Sequence, residues 1–196
     1  PDDNYIVTSS DDAIVAVWNS STGKMIHKLT GHTKRVNSAH FSNNGRFVVS
    51  TSDDGTIIVW NVDSGDKKEI ISSSSGIAVD AIYSADDKFV IYHTDSNSDI
   101  HVWNLKKRIE EKMLKGNDNE VISFMSSIDD THVLVAYSER FCLWNIITGE
   151  LVGEVHNYHG VATSAFIDNN GEVASLSING ESIMFTIGFM GMAQNC

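Results

Sequence analysis

Four tryptophans, Trp18, Trp60, Trp103 and Trp144, follow one another at intervals of 42, 43 and 41 residues, and each is followed by asparagine. A further step of 41 lands on Phe185, an aromatic in the place of a fifth tryptophan. A period held this closely predicts one supersecondary unit repeated along the chain. A unit of that size cannot bury its apolar faces alone, so the units must stack.

The other features keep the same beat. After each of the first four Trp-Asn pairs come a polar turn and a short run: STGKMIHKL, VDSGDKKEI, LKKRIEEKML and IITGELVGEV. Before each later aromatic stands a run of the type VNSAHFS, AVDAIYS, VISFMSS or VATSAFI, then a turn (NNG, ADD, IDD or DNNG), then RFVVSTS, KFVIYHT, THVLVAY or EVASLSI. Alternating β-branched and aromatic residues bounded by turn formers predict four short strands per unit and no long amphipathic helix. Four strands in roughly 40 to 45 residues is the pattern of a β-propeller blade.

The second unit, LTGHTKRVNSAHFSNNGRFVVSTSDDGTIIVWN over residues 29–61, carries a GH pair, FS before the turn, an S-x-S strand and DGTIxVW. On these motifs the chain resembles the WD40 repeat family, and the period extends the resemblance over essentially the whole chain. The later units are degenerate, their GH pair becoming Ser73-Ser74, Gly116-Asn117 and His156-Asn157. The expected fold is all-β, a partial WD40-type β-propeller forming a single segment over 1–196. Its repeats fall at about 1–28 (partial), 29–69, 70–113, 114–154 and 155–196 (partial). Counting strands leaves the first unit without its innermost strand and the last without its outermost. Neither end completes the other, so the sequence predicts an open arc of four to five blades from a longer chain with seven blades or more.

The resemblance implies a buried hydrogen-bond chain through His32, Ser50, Asp54 and Trp60. Its chemistry is sound on its own terms. An indole N–H needs an acceptor when buried, a hydroxyl can accept it and donate on to imidazole, and a carboxylate can hold the other ring nitrogen. The same offsets from the aromatic give Thr8 and Asp12 with Trp18, His93 and Asn97 with Trp103, Leu134 and Ser138 with Trp144, and Ser175 and Asn179 with Phe185. Only the second unit holds all four members.

Ser50, His32 and Asp54 also have the residue types of a hydrolase triad, but G-x-S-x-G is absent and the periodic context already accounts for all three. The expectation is no catalytic residue, no cofactor and no metal site. His156 and His159 form an H-x-x-H pair in a β-rich turn with no carboxylate or thiolate ligand nearby, and read as loop residues. Lys106, Lys107 and Arg108 read as a solvated turn. Asn19-Ser20-Ser21 is a formal glycosylation sequon, idle without a secretory signal.

A net charge of −12 argues against a nucleic-acid surface, since such binding relies on clustered Lys and Arg. Two unclustered thiols, Cys142 and Cys196, suit a reducing compartment, the cytoplasm or nucleus. No apolar run reaches the roughly 18 residues of a membrane span. The resemblance implies protein or peptide partners docking on the narrow end of the propeller, where Lys34, Arg35, Asn37, Asp11 and Asp53 would stand, with Asp53 facing outward. The expected function is a non-catalytic scaffold in an intracellular assembly. The alternatives are the WD40 sensor region of a larger nucleotide-binding signalling ATPase, a ubiquitin-ligase substrate receptor, and a propeller hydrolase.

Overall fold

Eighteen short strands form where the β-branched and aromatic runs fall. They are β1 (Tyr5–Ser9), β2 (Ile14–Asn19), β3 (Met25–Thr30), β4 (Val36–Phe41), β5 (Phe47–Ser52), β6 (Thr56–Asn61), β7 (Lys67–Ser72), β8 (Ala78–Tyr83) and β9 (Phe89–Thr94). There follow β10 (Ile100–Asn104), β11 (Ile109–Leu114), β12 (Ile122–Ser127), β13 (His132–Tyr137), β14 (Arg140–Asn145), β15 (Leu151–His156), β16 (Ala162–Ile167), β17 (Val173–Ile178) and β18 (Glu181–Thr186). The computed structural model describes residues 3–73, 76–117, 120–138, 140–156, 162–167, 173–178 and 181–186. Ser74, Asn157, His159, Asn179 and Cys196 lie outside them. Among the described residues no helix is long and apolar enough to cross a membrane.

The strands pair antiparallel in chain order into five sheets: β1–β3, β4–β7, β8–β11, β12–β15 and β16–β18. The first and last have three strands and the middle three have four, and the innermost strands β4, β8, β12 and β16 lie against one another in sequence. This is the β-propeller arrangement, each sheet a blade.

Period-2 alternation decides which neighbour each side chain meets. Val48, Ile58 and Trp60 pack with Val15, Val17 and Leu29 of the first blade, while Val49, Ile57 and Val59 pack with Ala81, Tyr83 and Val90 of the third. The same exchange carries Ile91 and Val102 into a core with Val133 and Val135 of the fourth. The cores therefore lie between blades, and a single blade has none of its own.

Register slips recur at fixed places. The two outer strands of the first four blades shift at the tryptophan, between Val17/Trp18, Val59/Trp60, Val102/Trp103 and Leu143/Trp144. Such bulges sharpen local twist. The asparagine after each tryptophan caps the next turn. Asn19, Asn61, Asn104 and Asn145 each accept through Oδ1 from a backbone N–H two or three residues on, at 2.8 to 2.9 Å.

Candidate functional site

His32 lies between β3 and β4, Ser50 on β5, Asp54 in the β5–β6 turn and Trp60 on β6, and the fold brings all four side chains together. Trp60 Nε1 donates to Ser50 Oγ at 2.8 Å, and Ser50 Oγ stands 2.8 Å from His32 Nε2. His32 Nδ1 is 3.3 Å from Asp54 Oδ2. This partner set assigns the neutral tautomer with the proton on Nδ1, so that Ser50 donates to Nε2. Two further partners were not legible from the offsets. Thr56 Oγ1 lies 3.0 Å from His32 Nδ1 and donates to Asp54 Oδ1 at 2.6 Å, and the Thr33 N–H donates to Asp54 Oδ2 at 2.7 Å. Gly31 gives the ring and its neighbour room: a Cβ there would displace the end of the Lys67 side chain and come within 3.0 Å of Trp60 Cη2.

The electrostatics agree with the tautomer. Burial lowers the His32 pKa, and the Asp54 carboxylate opposes the shift without reversing it. Asp54 is itself partly desolvated, which would raise its pKa, but the Thr56 hydroxyl, the Thr33 and Thr56 N–H groups and His32 hold it down at about 2. The order Ser–His–Asp is that of a hydrolase triad. Ser50, however, is fully buried and already accepts the Trp60 indole N–H, so no substrate reaches its oxygen.

In the first blade Thr8 takes the place of Ser50, accepting from Trp18 Nε1 at 2.9 Å, and Asp12 is exposed in the β1–β2 turn. Register corrects the offsets in the later blades. Ser50 pairs with Ile58, two residues before Trp60; the equivalent residue is Tyr92, opposite His101, and not His93. It is Val135, opposite Cys142, and not Leu134 in the fourth blade. In the last blade Leu176, opposite Ile183, holds the place, and not Ser175. The intervening turns differ in length by a residue, and a one-residue slip moves the side chain to the other face of the sheet. The third blade accordingly uses other contacts. Tyr92 stacks on His101 at 4.8 Å, both reach Glu110 Oε2, and Trp103 Nε1 donates to Glu69 Oε1 at 3.1 Å. Asn97 donates to Asp99, which accepts the Gly116 N–H.

The WD40 family (WD domain, G-beta repeat) matches residues 1–19 and 23–61. Those residues carry WD40 repeats. It is 29% identical over 161 residues to human NACHT domain- and WD repeat-containing protein 1, covering 79% of this chain and 10% of that protein. It is 49% identical over 45 residues to the guanine nucleotide-binding protein G(I)/G(S)/G(T) subunit beta-1 of Homarus americanus, covering 23% of this chain and 13% of that one. The chain thus spans about a tenth of the length of these relatives. The fold is shared with the β-propeller domain of Myceliophteria thermophila Cps50 (Swd1), with a TM-score of 0.81 and 14% identity, over 98% of this chain and 65% of that one.

The WD40 network also organises the surface beside it. The Asp53 N–H donates to the Arg35 carbonyl at 3.0 Å, and Ser52 Oγ donates to that of Lys34 at 3.2 Å. Lys34 and Arg35 are exposed, and Arg35 Nε meets Asp11 Oδ1 at 3.1 Å. Asp53 does not stand free at the surface. Half-buried, it accepts from Asn37 Nδ2 at 2.8 Å, which also reaches the Ala78 carbonyl of the next blade. Among the described residues no group of three His, Cys, Asp or Glu side chains could hold a metal ion.

Proposed function

We propose that this WD40 segment is a non-catalytic scaffold that docks protein partners, inside the cell, on the end of the blades bearing Lys34, Arg35, Asn37, Asp11 and Asp53. One observation carries the reading. The backbone from His32 to Arg35 is held from two directions, by Asp54 on the Thr33 N–H and by Asp53 on the Arg35 carbonyl, so exposed side chains project from a fixed frame. A surface ordered before contact loses less entropy on binding. Ser50 being sealed under Trp60 favours docking over hydrolysis. Affinity capture with the full-length chain, compared with a Lys34→Glu/Arg35→Glu double variant, tests the surface. Loss of partners is expected; an unchanged partner set would place docking elsewhere.

The similarity to a protein that joins WD repeats to a NACHT domain favours a second reading, the WD40 region of a larger nucleotide-binding signalling ATPase. The sequence encoded upstream of Pro1 decides it: a P-loop G-x-x-x-x-G-K-[ST] supports this reading, and an F-box-like helical segment supports a ligase receptor instead.

A further inference from the structure

At the other end of the blades lie the turns that join β4 to β5, β8 to β9 and β10 to β11. Between the second and third blades these turns bound a cleft of about 370 Å³, with Phe47, Val59 and Leu105 as its apolar wall and Lys68, Lys88 and Lys106 around it. A second cleft of about 480 Å³ adjoins it, sharing Lys68 and adding Lys67, Arg108, Trp103 and the exposed Ile70. Four of the chain's 14 Lys and Arg residues, Lys68, Lys88, Lys106 and Arg108, thus gather on one seam of a protein with 26 acidic residues, while the Lys67 ammonium lies over the Trp60 ring toward the first blade.

The acids of this seam are already engaged. Asp87 accepts the Asn43 and Asn44 N–H groups at 2.7 and 2.9 Å, and Glu69 accepts from Trp103. Lys88 pairs with Asp86 at 2.6 Å, whereas Lys68, Lys106 and Arg108 have no ion-pair partner among the described residues. Lys68 Nζ sits 3.6 Å over the Phe47 ring, which holds its charge at the mouth of the first cleft. Arg108 supplies an independent sign. It adopts a left-handed conformation, φ 57°, at a turn position where Gly23, Gly65 and Gly149 stand in the other blades. A bulky residue kept where glycine is unstrained points to a use for its side chain.

We propose that this seam docks an acidic peptide segment with an apolar side chain, the carboxylates meeting Lys68, Lys106 and Arg108 and the apolar group entering the cleft beside Phe47 and Leu105. Cations beside an apolar wall match that chemistry, while a phosphate backbone would leave the wall unused. The site lies at the far end from Lys34 and Arg35 and stands or falls separately from that surface.

Fluorescence anisotropy with the full chain and a fluorescein-labelled Glu-Glu-Phe-Glu-Glu peptide tests it. Saturable binding is expected, weakened about tenfold or more by Lys68→Glu/Lys106→Glu, by alanine in place of the peptide's phenylalanine, and by raised salt. Lys34→Glu/Arg35→Glu should leave it unchanged. Arg108→Gly should weaken binding while raising Tm, a pairing that loss of fold cannot mimic, and Lys68→Arg should restore most of the affinity. No saturation up to about 1 mM peptide, indifference to the seam substitutions, or their affecting only a labelled oligouridylate would overturn the proposal.

Discussion

Trp103 and Glu69 are joined across two blades: the indole Nε1 of one donates to the carboxylate of the other at 3.1 Å, whereas Trp60 donates within its own blade to Ser50. The third blade has lost the hydroxyl that would receive its indole, with Tyr92 in that place, and the neighbouring outer strand β7 supplies an acceptor instead. The bond therefore contributes to blade stacking. Glu69→Ala should destabilise the chain by about 1 kcal/mol, the typical net contribution of a single hydrogen bond. Trp103→Phe combined with Glu69→Ala should cost less than the two singly, as a double-mutant cycle in urea would show. Strict additivity would mean that the contact contributes nothing.

Within the second blade the chain of hydrogen bonds should behave as a unit. Removing any member takes a hydrogen-bond partner from a buried polar group, which costs about 1 to 3 kcal/mol. His32→Ala, Asp54→Ala and Ser50→Ala should each lower stability by that amount, and Ser50→Ala affects two neighbours, the Trp60 N–H and His32 Nε2. Chemical denaturation measures the loss. An unchanged midpoint in His32→Ala or Asp54→Ala would remove the network's structural role.

What the sequence reveals here and what it hides have separate physical causes. The strand runs and the period follow from side-chain chemistry, which any window of the chain displays: the five sheets begin and end within a residue or two of the expected runs. Positions counted back from a tryptophan follow only while the intervening turn keeps its length. One residue more before Trp103 and one fewer before Trp144 put Tyr92 and Val135 where counting gives His93 and Leu134. The recurring asparagines were visible as a pattern, but their capping role needed the turn geometry. The cluster Lys106, Lys107 and Arg108 was visible and reads as a solvated turn, but the seam was hidden, because Lys68 and Lys106 line one cleft only once two blades stack.

Acid should weaken the fold through Asp54 and His32 in two separate steps. Asp54 titrates at about 2 in the folded chain against 3.8 in the unfolded one. A depressed carboxyl contributes stability above the unfolded pKa and loses it as pH falls through the folded one, here about 2 kcal/mol between roughly pH 4 and 2. His32 is lowered by burial, so the unfolded state takes up the proton first and stability declines as pH drops below 6.5. His40 runs the other way. Its hydrogen bond to Asp80, at 3.1 Å across two inner strands, raises its pKa, so its contribution is present below 6.5 and is lost as pH rises through the folded value. With the His40 side chain 48% exposed, this effect is small. NMR titration of the imidazoles should find His40 above 6.5 and His32 below it, and Asp54→Asn should flatten the loss between pH 4 and 2. The reverse order of the two histidines would contradict the assigned contacts.

Four residues in turns hold a side chain in the left-handed region where other blades use glycine. Ala13 (φ 67°) stands where the second blade has Gly55, Asp3 (φ 59°) and Asp87 (φ 57°) where it has Gly45, and Arg108 (φ 57°) where three blades have Gly23, Gly65 and Gly149. Asp87 is compensated, since its carboxylate caps the Asn43 and Asn44 N–H groups of the neighbouring blade. Ala13 has no such contact to make, and Arg108 reaches only the surface seam. The left-handed conformation costs an L-residue about 1 to 2 kcal/mol, part of which glycine returns through its greater freedom in the unfolded chain. Ala13→Gly and Arg108→Gly should therefore each stabilise by about 0.5 to 1 kcal/mol, and Asp87→Gly should destabilise because two backbone donors lose their acceptor. Thermal unfolding of the three variants separates the cases. If Arg108→Gly were no more stable than the parent, its side chain would be adding structural stability of its own, and its conformation would no longer point to a ligand.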